Sequence, residues 1–380
     1  MTEPERDRAG SPPWPPREPP EEPGQALPGG QGPYGAGPQQ GPVPPGGYGA
    51  PWPSQWGAQA PPPYQWGAQA PPPYQWQAPP APWTAPPPPQ TRYDRLARTA
   101  LHRWWRPIVG TLGIVIAFLV MSLGVGLLAG LVSVIAGIPM AVDGSRLFID
   151  PVVDLGFHLI VIALAIPLVF GAAWAFQRRP PGTVSSVAFR IRWRWLGWCL
   201  LVAVVAVVLG QLAESGTLTL TGVGAGYGWA GWAVFLPPMI LILLLVPFQA
   251  AAEEYVFRGW ILQSFGAYLR NPWPGVLLGS AAFAALHGYT DWGIAYVFGF
   301  GILMGWLAIL TGGLEAPIAL HATNNVVAFG LAAASGDMGG ALEQGALPWQ
   351  SIAGTAVQFA VYGVAIVIIA RKRAIQTLSG

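Results

Sequence analysis

Long apolar runs, broken by short polar or Gly/Pro-rich stretches, fill the chain from Pro107 onward, whereas residues 1–90 hold little aliphatic sequence. A helix that crosses the hydrocarbon core of a bilayer needs about 20 apolar residues. Runs of this kind fall at roughly 108–136, 152–176, 196–213, 232–254, 273–288, 292–311, 314–335 and 350–370. The fifth is short, and the fourth has no sharp end. Each contains glycine or other small residues that let helices approach closely. The pattern predicts an all-α, polytopic membrane protein with about eight transmembrane helices.

Residues 1–100 read differently. "QWGAQAPPPY" occurs twice in tandem, at 55–64 and 65–74, in a background of Pro, Gly, Gln and Ala. Such a segment cannot bury enough aliphatic surface to offset the entropy of ordering it. Proline runs also favour extended polyproline II. Residues 1–100 are therefore expected to be a disordered, low-complexity cytoplasmic tail, and residues 101–375 the membrane domain. The tail reads either as a solvated extension or as an arm whose periodic Tyr and Trp dock a protein partner. Its acidic, proline-rich start lacks the apolar core of a signal peptide.

Charge sets the topology. Only 9% of residues are charged and the net charge is +2, too small to point to nucleic acid. Lys372 is the only lysine, and this arginine bias beside abundant Ala, Gly and Pro suggests a bacterial source. Arginines gather before the first span, between the second and third, between the fourth and fifth, and after the eighth. With eight spans all these connections share one side, which places both termini in the cytoplasm of a multi-pass cell-membrane protein. The single cysteine, Cys199, excludes an intramolecular disulfide and a multi-cysteine metal site.

Ionisable groups inside spans are costly, so they are candidates for function. They are Asp154, His158, Glu253, Glu254, His287, Glu315 and His321, joined by the amides Asn324 and Asn325. Glu254 and Arg258 are four apart on a helix and can pair, which leaves Glu253 turned about 100° away. Phe283 and His287 share a face, as do His321 and Asn325. Each motif alone also suits a packing role: an ion pair at a helix end, a core histidine, an interhelical amide clamp. Together they set a glutamate pair, a histidine and a His/Asn pair on three helices. Hydrolysis needs such a set, because a carboxylate and a histidine can hold and deprotonate a water. The remaining groups can stabilise an oxyanion or bind a metal.

The order Glu253-Glu254-xxx-Arg258, Phe283-xxx-His287, His321-xxx-Asn325 resembles the CPBP family, the CAAX-protease and bacteriocin-processing membrane proteins also called Abi. The likeness spans about residues 180–335. It implies an intramembrane endopeptidase acting on a peptide or protein substrate, lipidated in some relatives. By resemblance, Glu253 is the general base and holds the water with His287. His321 and Asn325 stabilise the oxyanion, Glu254 supports, and Arg258 pairs with Glu254. Zinc or another divalent metal on Glu253, His287 and His321 and a metal-free glutamate–histidine pair both remain open.

Depth raises a difficulty. His287 lies about 14 residues, or roughly 21 Å, into the fifth span, while Glu253 ends the fourth at the cytoplasmic edge. The fourth helix is therefore expected to continue through "YVFRGWIL" and carry the glutamates inward. Two rival readings are a proton-coupled transporter using Asp154 and His158, and a non-catalytic scaffold or bacteriocin-immunity protein.

Overall fold

Apolar runs and helix-stop residues define the elements of the computed structural model, which describes residues 82–141, 146–224, 228–342 and 344–380. Helix α1 spans Trp105–Ala136, α2 Pro151–Ala163, α3 Ala165–Ala175, α4 Trp193–Leu220 and α5 Trp232–Glu254. A π-helical segment, Tyr255–Ile261, joins α5 to α6, Leu262–Tyr268. Then come α7 Trp273–Ala285, α8 Trp292–Thr311, α9 Glu315–Ser335, α10 Met338–Leu342 and α11 Gln350–Lys372. The strands β1 (Thr290–Asp291) and β2 (Ala346–Leu347) form a small parallel pair.

Local chemistry explains the boundaries. The Asp150 carboxylate accepts from the Val152 and Val153 amides at 2.8 and 3.1 Å and caps α2, with Pro151 in its first turn. Gly312 closes α8 at φ 73°, a left-handed conformation that a side chain disfavours. Proline at 237, 238 and 247 lies inside α5 without ending it; in an apolar bundle, packing neighbours hold such a helix together.

Among the described residues, seven helices are long and apolar enough to cross a membrane, with α2–α3 and α5–α6 each counted as one. The expected eighth, at 273–288, is the 13-residue α7. At 1.5 Å per residue it reaches only about 20 Å, short of a hydrocarbon core of about 30 Å. It still links opposite ends of the bundle. Its start follows the α6 turn, whose Leu269 carbonyl accepts from Arg98 at 2.8 Å. Beyond its end, Thr290 and Asp291 pair with Ala346 and Leu347.

One end of the molecule gathers the arginine-rich segments. Arg192 reaches the carbonyls of Thr311 and Gln376 at 3.0 and 2.7 Å, and pairs with Glu315 at 2.7 Å. Glu315, the first residue of α9, thus also anchors the loop that carries Arg192. Gln90 and Ser379 are bonded through backbone groups at 2.8 Å, as are Ser379 and Thr91 at 2.9 Å. The two ends of the described chain therefore meet on this side.

Inside the bundle, α4 packs on α11 and α9, and α5 on α9. Gly210 and Gly354 face each other across α4 and α11, where a methyl at Gly354 would sit 2.7 Å from the Gly210 carbonyl. Small residues set this close crossing. Helix α1 is peripheral, with four residues buried along its length.

The expected tail boundary at residue 100 falls too late. Tyr93 and Leu96 are fully buried, and the Tyr93 hydroxyl donates to the Val184 carbonyl at 2.6 Å. Tyr93 and Leu96, with Arg98 bonded to the Gly266 and Leu269 carbonyls and the Ala85 amide to the Arg178 carbonyl, pin residues 82–100 onto the helical body. The repeats at 55–74 lie outside the described residues.

Candidate active site

Three helices deliver the polar groups that the sequence singles out. Helix α5 does not stop at Glu253. It runs on through the π segment, giving a continuous helix Trp232–Tyr268, so the glutamates sit well inside it. This matches the expectation drawn from depth. π segments recur at functional sites, where one extra residue per turn re-aims side chains.

Glu254 is fully buried, and its Oε1 is shared by two partners. Arg258, one turn on, approaches at 3.0 Å, and His321 Nδ1 from α9 at 2.8 Å. Glu253 also faces α9: its Oε2 lies 3.4 Å from His321 Nε2. One imidazole thus stands between the two adjacent carboxylates. The expected divergence of Glu253 from Glu254 by about 100° holds for the backbone, but both side chains converge on His321. Glu253 Oε1 accepts from Gln249 Nε2 at 2.8 Å, and Gln249 Oε1 accepts from Asn325 at 3.2 Å. Asn324, beside it, donates to the Tyr296 hydroxyl at 2.9 Å and accepts from Gln358 at 3.1 Å. An unbroken polar chain therefore runs from Glu253 through α5 and α9 to α8 and α11.

Aromatic rings wall this chain. Phe300 and Phe283 meet the His321 ring edge-on at 5.3 and 5.8 Å, and the Arg258 guanidinium lies 4.5 Å from the Phe283 ring. The rings exclude water and strengthen each electrostatic contact. Three buried polar atoms of this site have no hydrogen-bond partner among the described residues: Glu253 Oε2, Glu254 Oε2 and Arg258 Nη2. A buried site that leaves donors and acceptors open in this way calls for a functional explanation.

His287 is placed otherwise. It lies beyond the end of α7, with Nδ1 held to the Phe283 carbonyl at 2.7 Å and its ring 4.4 Å from Phe283. It contacts the same phenylalanine as His321, but among the described residues it makes no hydrogen bond or ion pair to Glu253. The ligand set Glu253, His287 and His321 is accordingly not assembled. Among the described residues, no three His, Cys, Asp or Glu side chains converge as metal ligands. The arrangement of the described residues does not fit a three-ligand zinc centre.

Asp154 and His158, the basis of the transporter reading, serve a loop. Asp154 Oδ1 accepts from the Leu147 and Phe148 amides at 2.9 and 3.1 Å, and His158 is half exposed. The sequence reading missed Gln249, Tyr296 and Gln358. Gln249 had a signal: it is the one amide in the apolar run "LLLVPFQAAAEE", a turn before Glu253.

Among the described residues, seven helices long and apolar enough to cross a membrane surround these buried carboxylates, histidine and amides, as in a multi-pass membrane protein. Residues 234–327 match the family described as type II CAAX prenyl endopeptidase Rce1-like, and the match contains all six expected site residues. Over 185 residues the chain is 29% identical to the uncharacterized protein YyaK of Bacillus subtilis (strain 168). That alignment covers 47% of this chain and 60% of YyaK. No solved structure matches the chain. The motifs and the match together support membership of the CPBP family.

Proposed function

We propose that the protein is an intramembrane endopeptidase in which Glu253 activates a water. The observation that supports this most is the chain Arg258–Glu254–His321–Glu253, with contacts of 3.0, 2.8 and 3.4 Å. Glu254, neutralised in part by Arg258, fixes the His321 ring through Nδ1. Nε2 then points at Glu253. A water between Glu253 Oε2 and His321 Nε2 loses its proton to Glu253 as it attacks the scissile carbonyl. The carboxyl returns that proton to the leaving amine. Asn325 stands a turn beyond His321 on α9, where its amide can donate to the oxyanion if it releases Gln249. His287, at the rim, donates Nδ1–H to the Phe283 carbonyl, so Nε2 of its neutral ring is an acceptor that can orient the attacking water. In this reading His321, rather than His287, is the partner of Glu253.

The substrate is a membrane-associated peptide or protein segment, with a lipidated C-terminal segment the form implied by the family description. Both termini lie on the cytoplasmic side, where the arginines gather. The test is cleavage of quenched peptides, with and without an isoprenyl group, by the purified chain. Glu253→Gln and His321→Ala should each lower the rate at least about 100-fold, the usual weight of general acid–base catalysis. Retention of rate in both variants would sink the assignment. Sensitivity to a chelator would show that a metal enters a site whose ligands rearrange.

A further inference from the structure

Outside the proposed catalytic site, one cleft collects positive charge against a single nearby carboxylate, Asp94, which is buried and already paired. It has a volume of about 510 Å³, and its lining includes Arg98, Thr99, His102, Tyr268 and Arg270. The walls are the segment before α1 and the turn between α6 and α7. Asp94 is the only carboxylate between residues 82 and 106. Its side chain is fully buried and engaged by Arg92 at 3.0 and 2.9 Å. Arg98 spends Nε and one terminal nitrogen on the Gly266 and Leu269 carbonyls at 2.7 and 2.8 Å. Arg270 makes no side-chain hydrogen bond among the described residues. Thr99 Oγ1 is buried and has no partner.

The cations also disturb one another. Burial, then Arg95 and Arg270, hold the Arg98 guanidinium below its ordinary value. Burial, then Arg98, Arg106 and Arg103, hold the His102 imidazole low. A bound anion would relieve both.

The position selects the source of the anion. Trp104, Trp105 and Trp273, all exposed, flank the cleft in sequence, and the Tyr268 hydroxyl donates to the Trp104 carbonyl. Exposed tryptophans at the arginine-rich end of a helical bundle mark the headgroup level of a bilayer. Basic pockets at that level bind phosphate headgroups.

We infer that the cleft formed by Arg98, Thr99, His102 and Arg270 binds the phosphate of an anionic phospholipid headgroup. Arg98 and Arg270 would donate to the phosphate oxygens, with Thr99 as a third donor.

Native mass spectrometry of the full chain tests this, counting lipid retained from phosphatidylglycerol and, separately, phosphatidylcholine. Phosphatidylglycerol should be retained in preference. Arg270→Gln combined with His102→Gln should weaken that retention about tenfold, whereas Arg270→Lys should keep most of it. If the double variant loses its helical signal, Arg270→Gln alone carries the test, because its guanidinium holds nothing in the fold. Equal retention by wild type and variant, or no preference over phosphatidylcholine, would overturn the inference. Displacement of the lipid by inorganic phosphate at equal concentration would assign the cleft to a free anion and overturn the lipid source.

Discussion

Glu254 is fully buried and takes two partners, Arg258 and His321, on one oxygen, so its removal or isolation bears on stability. Arg258→Met would leave the buried carboxylate with only His321, and losing one partner of a buried pair costs about 3–5 kcal/mol. Replacing both, as Glu254→Leu with Arg258→Met, removes the unpaired charge. The double variant should recover most of the thermal midpoint. It should stay inactive, since His321 Nδ1 then has no carboxylate to orient it. Melting curves and cleavage rates for the three proteins would check this, and an active double variant would refute the orienting role. Gln249 acts through Glu253, so it is a positioning residue. Gln249→Leu should lower kcat about tenfold, the worth of one hydrogen bond of about 1.4 kcal/mol, while KM and the melting midpoint hold. A change confined to KM would place Gln249 in substrate binding instead. The i to i+4 pair Glu254–Arg258 was legible in the sequence because both partners lie on one helix. The convergence of Glu253 and Glu254 on His321 was not, because it depends on how α9 crosses α5.

At the scale of elements, the π segment Tyr255–Ile261 explains why hydropathy alone ended the fourth span too early. Hydropathy ends the fourth span at the first glutamates, but the helix has no reason to stop where charge is satisfied by Arg258 and His321. The extra residue per turn also sets the facing of α6. There Gln263 accepts from the fully buried Arg179 at 2.5 Å, a guanidinium otherwise held by Gln177 and Thr183 at 2.6 and 2.7 Å. Burial without a carboxylate pushes Arg179 down to about 9. Inserting one alanine between Ile261 and Leu262, just past the π segment, would rotate α6 by about 100°. Gln263 would then leave Arg179. Helical content should persist while stability falls by about 2–3 kcal/mol, the scale of a lost hydrogen bond to a charged group. Circular dichroism melts read both, and an unchanged midpoint would show that α6 re-docks. Helix α7 marks the other limit of pattern reading. Its apolar run continues through Leu286, but the backbone leaves the helix after Ala285, and His287, just beyond that end, bonds to the Phe283 carbonyl.

For the whole molecule, the arginine distribution and the backbone tell one story by independent routes. Seven helices qualify as spans by length, and an odd number of crossings would put the two ends on opposite sides. The structure ties Thr91 to Ser379 at 2.9 Å, so the ends share a side. The short α7 must then count as a crossing, even though its 13 residues do not qualify alone. The bundle around it supplies the missing thickness, since α7 packs along α8 and its partners rather than facing lipid throughout. Single-cysteine labelling in intact cells would decide the matter. The native Cys199 is fully buried and should be silent. Cysteines at Gly380 and at Gln90 should respond alike to a membrane-impermeant maleimide, staying unlabelled until the membrane is opened. A cysteine at Gly345, at the β1–β2 end, should label at once. Opposite responses at residues 90 and 380 would mean that α7 does not cross and that the bundle in a bilayer differs from the one described. Identical responses would fix the glutamate–histidine site in the half of the bundle nearer the cytoplasm, because α9 starts at that face and reaches His321 after six residues, about 9 Å.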